Sequence, residues 1–338
     1  MKHTTFGATG LRVSEFFFGT MGFGGDWSWG GDADECRKMF TAYAEAGGNV
    51  IDTANRYADG GSEQVAGDLL RGDRDRFVLS TKYTLTMDGT DPNASGNHRK
   101  NLRRSVEDSL RRLDTDYIDL LWVHIWDAHT PVEETMRALD DLVRAGKVLY
   151  LGISDAPAWA ASRAHTLAEL RGWTPFAGLQ LNYSLLERGI ERELLPMAEA
   201  LGLSVAAWAP MARGVLSGKY TRHGATEGAR VKRENLSERD LRIAAEVDAV
   251  ADELGTTSSR VALAWTRARH RWIHPIIGAR TLDQLTDTLA AVDLELPAEA
   301  VRRLDEASSF ELGFPQDFIA LTRDFVYGPV VGEFEPRR

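Results

Sequence analysis

Short apolar runs alternate with longer amphipathic segments along the whole chain. Residues 15–20 (EFFFGT), 49–53 (NVIDT), 77–82 (FVLSTK) and 117–124 (YIDLLWVH) read as strands. Four more follow at 148–154 (VLYLGIS), 178–182 (GLQLN), 203–208 (LSVAAW) and 272–278 (WIHPIIG). Their near-continuous apolarity suits parallel strands buried on both faces. Helical patterns lie between them, at 34–46, 97–113, 132–145, 156–171, 190–200, 237–254, 258–269 and 281–291. The segment 97–113 places Leu102, Val106, Leu110 and Leu113 on one face. Pro131 opens 132–145 and Gly146 ends it, as the proline and glycine asymmetry of helices requires. Eight strands alternating with at least eight helices predict a (β/α)8 TIM barrel. No linker or composition shift divides residues 1–338, so one domain is expected.

Three further segments change this picture. TTFGATGLRV at the N-terminus predicts a β-hairpin, with Gly10 near its turn, closing the barrel floor. The stretches 84–96 and 210–236 follow strands three and seven and are too long for plain connections. They read as binding loops at the C-terminal face, where such barrels build their sites. The tail, 310–338, has little helical period and is expected to pack over or near the barrel mouth.

Composition narrows the class of partner. Forty Lys plus Arg against fifty Asp plus Glu give a net charge of −10, which repels nucleic-acid backbones and anionic membrane surfaces. Cys36 is the only cysteine, so neither an internal disulfide nor a cysteine-rich metal site can form. The start, MKHTTFGATG, lacks the apolar core of a signal peptide, and no run approaches a membrane span. A cytoplasmic protein with a small-molecule substrate is expected, its oligomeric state open.

The strand ends carry the candidate chemistry. Strand two ends in Asp52, strand three in Lys82 and strand four in His124, and Tyr57 sits in the loop after Asp52. Each alone has a bland reading: a loop cap, a surface lysine, a packed histidine. Together on three successive strands they converge at one end of the barrel. A phenol with an ordinary pKa of about 10 becomes a useful proton donor if an ammonium stabilises its phenolate. A buried carboxylate would hold that ammonium charged, and an imidazole would orient a carbonyl. Lys82 is therefore expected to lower the Tyr57 pKa. The set lacks an electron source, so a hydride-donating cofactor is implied.

The motifs DTANRYADGGSE, VHIWD, GIS, LQLNYS, AWAPMARGVLSGKY and IIGARTLDQLTDTL, with the Lys82 strand, resemble the aldo-keto reductases over residues 6–296. The stretch HIWDAHTPVEETMRALDDLVRAGKVLYLGISDAPAW is similar to the aryl-alcohol dehydrogenase-like branch. The resemblance implies nicotinamide-dependent carbonyl reduction with the catalytic tetrad Asp52, Tyr57, Lys82 and His124, and Arg280, a guanidinium at the adenosine end, favours NADPH or NADP+ as the cofactor, with NADH as second choice. The resemblance places Ser154 and Gln180 on the nicotinamide carboxamide. Asp155 stands where many members have Asn; Trp208 replaces the usual stacking Tyr. Pro210, Met211, Ala212 and Gly214 match a loop whose amides face the pyrophosphate, with Leu216 and Lys219 beyond. Gly278, Arg280, Gln284 and Asp287 match the adenosine end. Arg222, Lys232 and Arg233 lie in or near the covering loop.

Trp27, Trp29, Tyr83 and Trp126 are candidate walls of the substrate pocket, and the Gly-rich loop after strand one a candidate lid. Trp122, His129 and His274 read as structural. Flat aromatic walls suit aryl aldehydes, and equally sugar or polyketide carbonyls. Two alternatives compete. A metal-dependent hydrolase would use His124, Asp127 and His129 in an HxxDxH pattern, but Lys82 opposes a cation there. A cofactor-sensing binding module of the same family would not need the complete tetrad.

Overall fold

The structure, a computed structural model, describes residues 1–25, 32–222 and 230–328. An N-terminal hairpin pairs β1 (His3–Thr5) antiparallel with β2 (Arg12–Ser14). Then come β3 (Phe17–Gly19), β4 (Val50–Asp52), β5 (Val78–Tyr83), β6 (Ile118–Val123), β7 (Val148–Ser154), β8 (Phe176–Asn182), β9 (Ser204–Trp208) and β10 (Ile273–Ile277). These eight are parallel, neighbours in chain order, and β10 pairs with both β9 and β3 to close the barrel. The expected (β/α)8 architecture is the observed one.

Helices α1 (Ala33–Glu45), α2 (Gly61–Leu70), α3 (Arg99–Leu113), α4 (Val132–Arg144), α5 (Ala158–Arg171) and α6 (Leu194–Ala200) follow β3 to β8 in turn. Between β9 and β10 lie α7 (Glu238–Glu253) and α8 (Ser258–Arg269). Local chemistry sets their ends. Ser237 and Asp240 form a capping box on α7, and Thr257 accepts from the Arg260 amide at the start of α8. The stripe Leu102, Val106, Leu110 and Leu113 is buried as its spacing predicts. Helix α2 was not evident in the sequence, because Gly61 and Gly67 break its apolar period. Gly67 serves packing: a Cβ there would meet the Leu113 carbonyl oxygen at 2.5 Å, so only glycine lets α2 lie against α3.

The chain continues through α9 (Leu282–Leu289), α10 (Ala298–Ala307), α11 (Gln316–Leu321) and α12 (Arg323–Tyr327). The tail thus has more helix than its pattern suggested. It hangs on Arg192, whose guanidinium donates to the Leu312 and Glu311 carbonyls. Phe314, Phe318 and Phe325 are exposed. Residues 329–338 lie outside the described part. Among the described residues, no helix is long and apolar enough to cross a membrane.

Strand alternation divides the core into two layers. Outward residues such as Phe18, Ile51, Leu79, Leu121, Leu179 and Val205 pack against the helices. Inward residues Phe17, Val50, Val78, Leu120, Trp122 and Ala206 fill the lumen with Phe6 and Val13 of the hairpin segment. The hairpin does close the floor: Phe6 lies 6.1 Å from Phe17, 6.2 Å from Trp122 and 6.0 Å from His274, ring centre to ring centre.

His274 is stacked on Phe17 at 5.0 Å in this floor, and burial pushes its imidazole down to about 4. The unfolded chain therefore binds a proton that the folded one refuses between about pH 6.5 and 4. Stability that is full above 6.5 falls as the pH drops through that window. His274→Phe should shrink the difference in urea midpoint between pH 7.5 and pH 4.5. An unchanged difference would show that protonation of the floor is not what acid acts on.

Candidate active site

Inward-facing residues at the C-terminal strand ends build one buried polar cluster. Asp52 ends β4 and pairs in register with Ser80 on β5. Lys82, two residues on, faces the same way because strand side chains alternate. Its Nζ donates to Asp52 Oδ2 at 2.6 Å and to the Thr53 carbonyl at 2.7 Å. Ser80 Oγ donates to Asp52 Oδ1 at 2.7 Å, and Gln180 Nε2 reaches the same oxygen across the lumen at 2.9 Å. Every part of this carboxylate is engaged. Burial alone would lower the Lys82 ammonium, but Asp52 and Tyr57 together more than offset it and hold the lysine above its ordinary value.

Tyr57 and His124 complete the group. The Lys82 Nζ lies 4.7 Å from the centre of the Tyr57 ring, and the His124 ring meets Tyr57 edge to face at 6.0 Å. Burial raises the Tyr57 phenol, and the Lys82 charge pulls it down without cancelling that effect. This corrects the expectation that Lys82 sets the phenol below its free value. Tyr57 keeps its proton throughout the neutral range. Burial, followed by the Lys82 charge, pushes His124 down to about 3, so its imidazole is neutral. Its Nδ1 is buried without a partner among the described residues.

The Tyr57 loop is held from behind. Ala58 and Asp59 are left-handed (φ 49° and 51°), and Gly60 has φ 97°. A Cβ at Gly60 would meet Arg112 Cδ at 2.7 Å. Arg112 is fixed in turn by the fully buried Glu63, which accepts from its Nε at 2.7 Å and from Thr81 Oγ1 at 2.5 Å. Sequence reasoning missed Ser80, Glu63 and Arg112. Ser80 was available from alternation with Lys82; the other two pair only through the fold.

Around the cluster, Ser154 ends β7 buried and paired in register with Gln180. Asp155 follows, with Oδ1 accepting from Trp208 Nε1 at 3.1 Å. The next loop, past Pro210, turns through left-handed Ala212, Arg213 and Gly214. The Ala212 amide donates to the Ala209 carbonyl, and those of Gly214 and Leu216 donate to Met211. These three hydrogen bonds shape the loop. At the far end Gly278 follows β10, and Gln284 Oε1 accepts from the Arg280 amide at 3.1 Å. Asp287 is committed to Arg260 at 2.9 Å and to Thr257.

Four cations converge here although the chain is acidic. Arg280 and Arg230 act on Lys219, and Arg280 and Arg213 on Arg230. Burial, then these charges, lower Lys219 and Arg230 alike. Such a cluster fits a polyanion. Arg230 and Arg213 carried no sequence signal beyond position in the loop. Arg222 and Arg233, in or near the loop expected to cover the cofactor, bond within the protein: Arg222 pairs with Asp252 at 2.9 Å, and Arg233 donates to the Tyr220 carbonyl. Lys232 lies 3.8 Å from Glu234.

The pocket walls divide. Trp126 packs edge to face on Trp159 at 5.6 Å. Tyr83 is no wall: Lys82 faces inward, so its neighbour faces outward into the helix layer, 1% exposed. Trp27, Trp29 and part of the loop after β3 lie outside the described residues. Trp122 is packed in the lumen, and His129 is tied through its amide to Asp127. Asp127 also accepts from the Asn97 amide and Thr130 Oγ1. Among the described residues, no three His, Cys, Asp or Glu side chains are grouped to hold a metal.

The model of the Aldo/keto reductase family matches residues 15–309. Norsolorinic acid reductase of Aspergillus flavus is 40% identical over 326 residues, covering 92% of this chain and 82% of its own. A putative aryl-alcohol dehydrogenase of Saccharomyces cerevisiae is 36% identical, covering 92% and 87%. An aldo-keto reductase of Aspergillus calidoustus is 37% identical, covering 92% and 83%.

Proposed function

The chain belongs to the aldo/keto reductase family, in its aryl-alcohol dehydrogenase-like branch, and from that premise we propose that it reduces aromatic aldehydes or ketones with NADPH, Tyr57 giving the proton. That it is an oxidoreductase interconverting carbonyl and alcohol follows from the family. The observation that carries the finer reading is the convergence of Asp52, Lys82, Tyr57 and His124 around one buried ion pair.

The residues present fit the dinucleotide. Its phosphates match the cation cluster of Arg213, Lys219, Arg230 and Arg280, and Trp208 presents a flat face at the barrel mouth. When bound, the reduced nicotinamide supplies a hydride. The chain's own residues do the rest. His124, neutral, donates a hydrogen bond that orients the carbonyl oxygen. Tyr57 gives that oxygen its proton as negative charge develops. Lys82 stabilises the phenolate left behind, and Asp52 keeps Lys82 charged and aimed. Trp126 and Trp159 offer a wall for a planar substrate. An aromatic substrate class is also in keeping with the names of the relatives, which act on norsolorinic acid or aryl alcohols by those names.

The test is loss of NADPH absorbance with a panel of aryl aldehydes, polycyclic ketones and sugars. Aromatic carbonyls should give the highest kcat/KM; turnover confined to sugars would contradict the substrate class. The cation cluster also predicts a cofactor preference, because a guanidinium can take a 2′-phosphate through two hydrogen bonds. Arg280→Ala should raise the KM for NADPH on the order of tenfold or more, the size of one lost charge-assisted contact, and leave NADH nearly unchanged. Equal losses for both cofactors would remove the 2′-phosphate from Arg280.

A further inference from the structure

The geometry points to Asp155 as a positioning residue that acts on the cofactor through Trp208 and not by its own contact. Its Oδ1 accepts the indole N–H of Trp208 at 3.1 Å, across from the end of β7 to the end of β9. Both partners are rigidly based. The Asp155 amide donates to the Gln180 carbonyl at 3.3 Å, and its own carbonyl accepts from Trp126 at 3.5 Å. The Trp208 carbonyl accepts from the Tyr183 amide at 3.3 Å. What remains free is rotation of the indole about its outer torsion, which is broad and roughly two-fold for such rings. One hydrogen bond to a fixed carboxylate selects one of those settings. Asp155 sits at φ 45°, a left-handed conformation in which aspartate and asparagine are among the few tolerated non-glycine residues. The backbone there aims the carboxylate at the ring. This inference rests on the reading of Trp208 as the face on which the nicotinamide lies.

Equilibrium binding of NADPH, by calorimetry without carbonyl substrate, separates the two. Trp208→Ala removes the face and should weaken binding roughly tenfold, as expected for a lost aromatic contact. Trp208→Phe keeps a face but has no N–H. Asp155→Gly removes the acceptor and suits the left-handed backbone. Each should weaken binding by about three- to tenfold, the range of one modest hydrogen bond. The Asp155→Gly/Trp208→Phe double variant should bind no worse than either single one, and Asp155→Asn, which keeps an acceptor oxygen, should bind like wild type. In the cofactor-free protein, the Trp208 indole proton resonance should move in Asp155→Gly and stay in Asp155→Asn. Additive losses in the double variant would mean that Asp155 contacts the cofactor directly, and the proposal falls. A neutral Asp155→Gly would overturn it equally. Wild-type binding by Trp208→Ala would sink the underlying reading of Trp208 as well.

Discussion

Lys82→Met should cost about 3–5 kcal/mol of stability, because it leaves the Asp52 carboxylate buried and uncompensated. The pair is nearly dry, with Lys82 1% and Asp52 2% exposed, so the orphaned charge would be poorly hydrated. Urea unfolding would read the loss as a lower midpoint. Adding Asp52→Asn to Lys82→Met should restore most of it. The amide is neutral, and its carbonyl can still accept from Ser80 and Gln180 in the place of Oδ1. Carbonyl reduction should remain lost in the double variant, since the ammonium beside Tyr57 is still gone. If the double variant regained activity with its stability, Lys82 would be a packing element and not part of the proton-donating group.

Tyr57→Phe should lower kcat about 10²–10⁴-fold, the usual contribution of a general acid, with NADPH affinity unchanged. Phenylalanine preserves the ring that meets His124 at 6.0 Å and lies under the Lys82 Nζ, so only the hydroxyl is removed. A group used in the transition state alone lowers kcat and kcat/KM together. Steady-state rates with an aromatic aldehyde, paired with a binding isotherm for NADPH, separate these quantities. A variant with raised KM and intact kcat would make Tyr57 a substrate-binding residue.

Much of this site was legible because a buried parallel strand announces itself as a continuous apolar run. Asp52, Lys82 and His124 stand where those runs stop, and consecutive strands are barrel neighbours. The same reasoning misplaced Tyr83, because counting to the strand end ignores alternation: Lys82 inward forces Tyr83 outward. Alternation would also have yielded Ser80. The bond from the Gln180 amide to Asp52, 128 residues away, has no signal in the sequence. Only a closed barrel puts those two in reach. Helix α2 was hidden by glycines that exist to let α3 approach. The loop after β9 hid its own hydrogen bonds, since left-handed Ala212 and Arg213 give no signal in residue type. The same loop returns Arg230 to Arg280 without any periodicity.

The pH dependence of single-turnover reduction tests most directly whether Tyr57, not His124, gives the proton. With NADPH prebound and an aromatic aldehyde added, the rate should stay level from pH 6 to above 9. It should decline only as the pH passes the ordinary phenol value of about 10, because burial keeps the Tyr57 phenol above it. His124, with its pKa near 3, should leave no inflection at neutral pH. A rate that falls with an apparent pKa between 6 and 8 would assign the proton to an imidazolium and contradict the account.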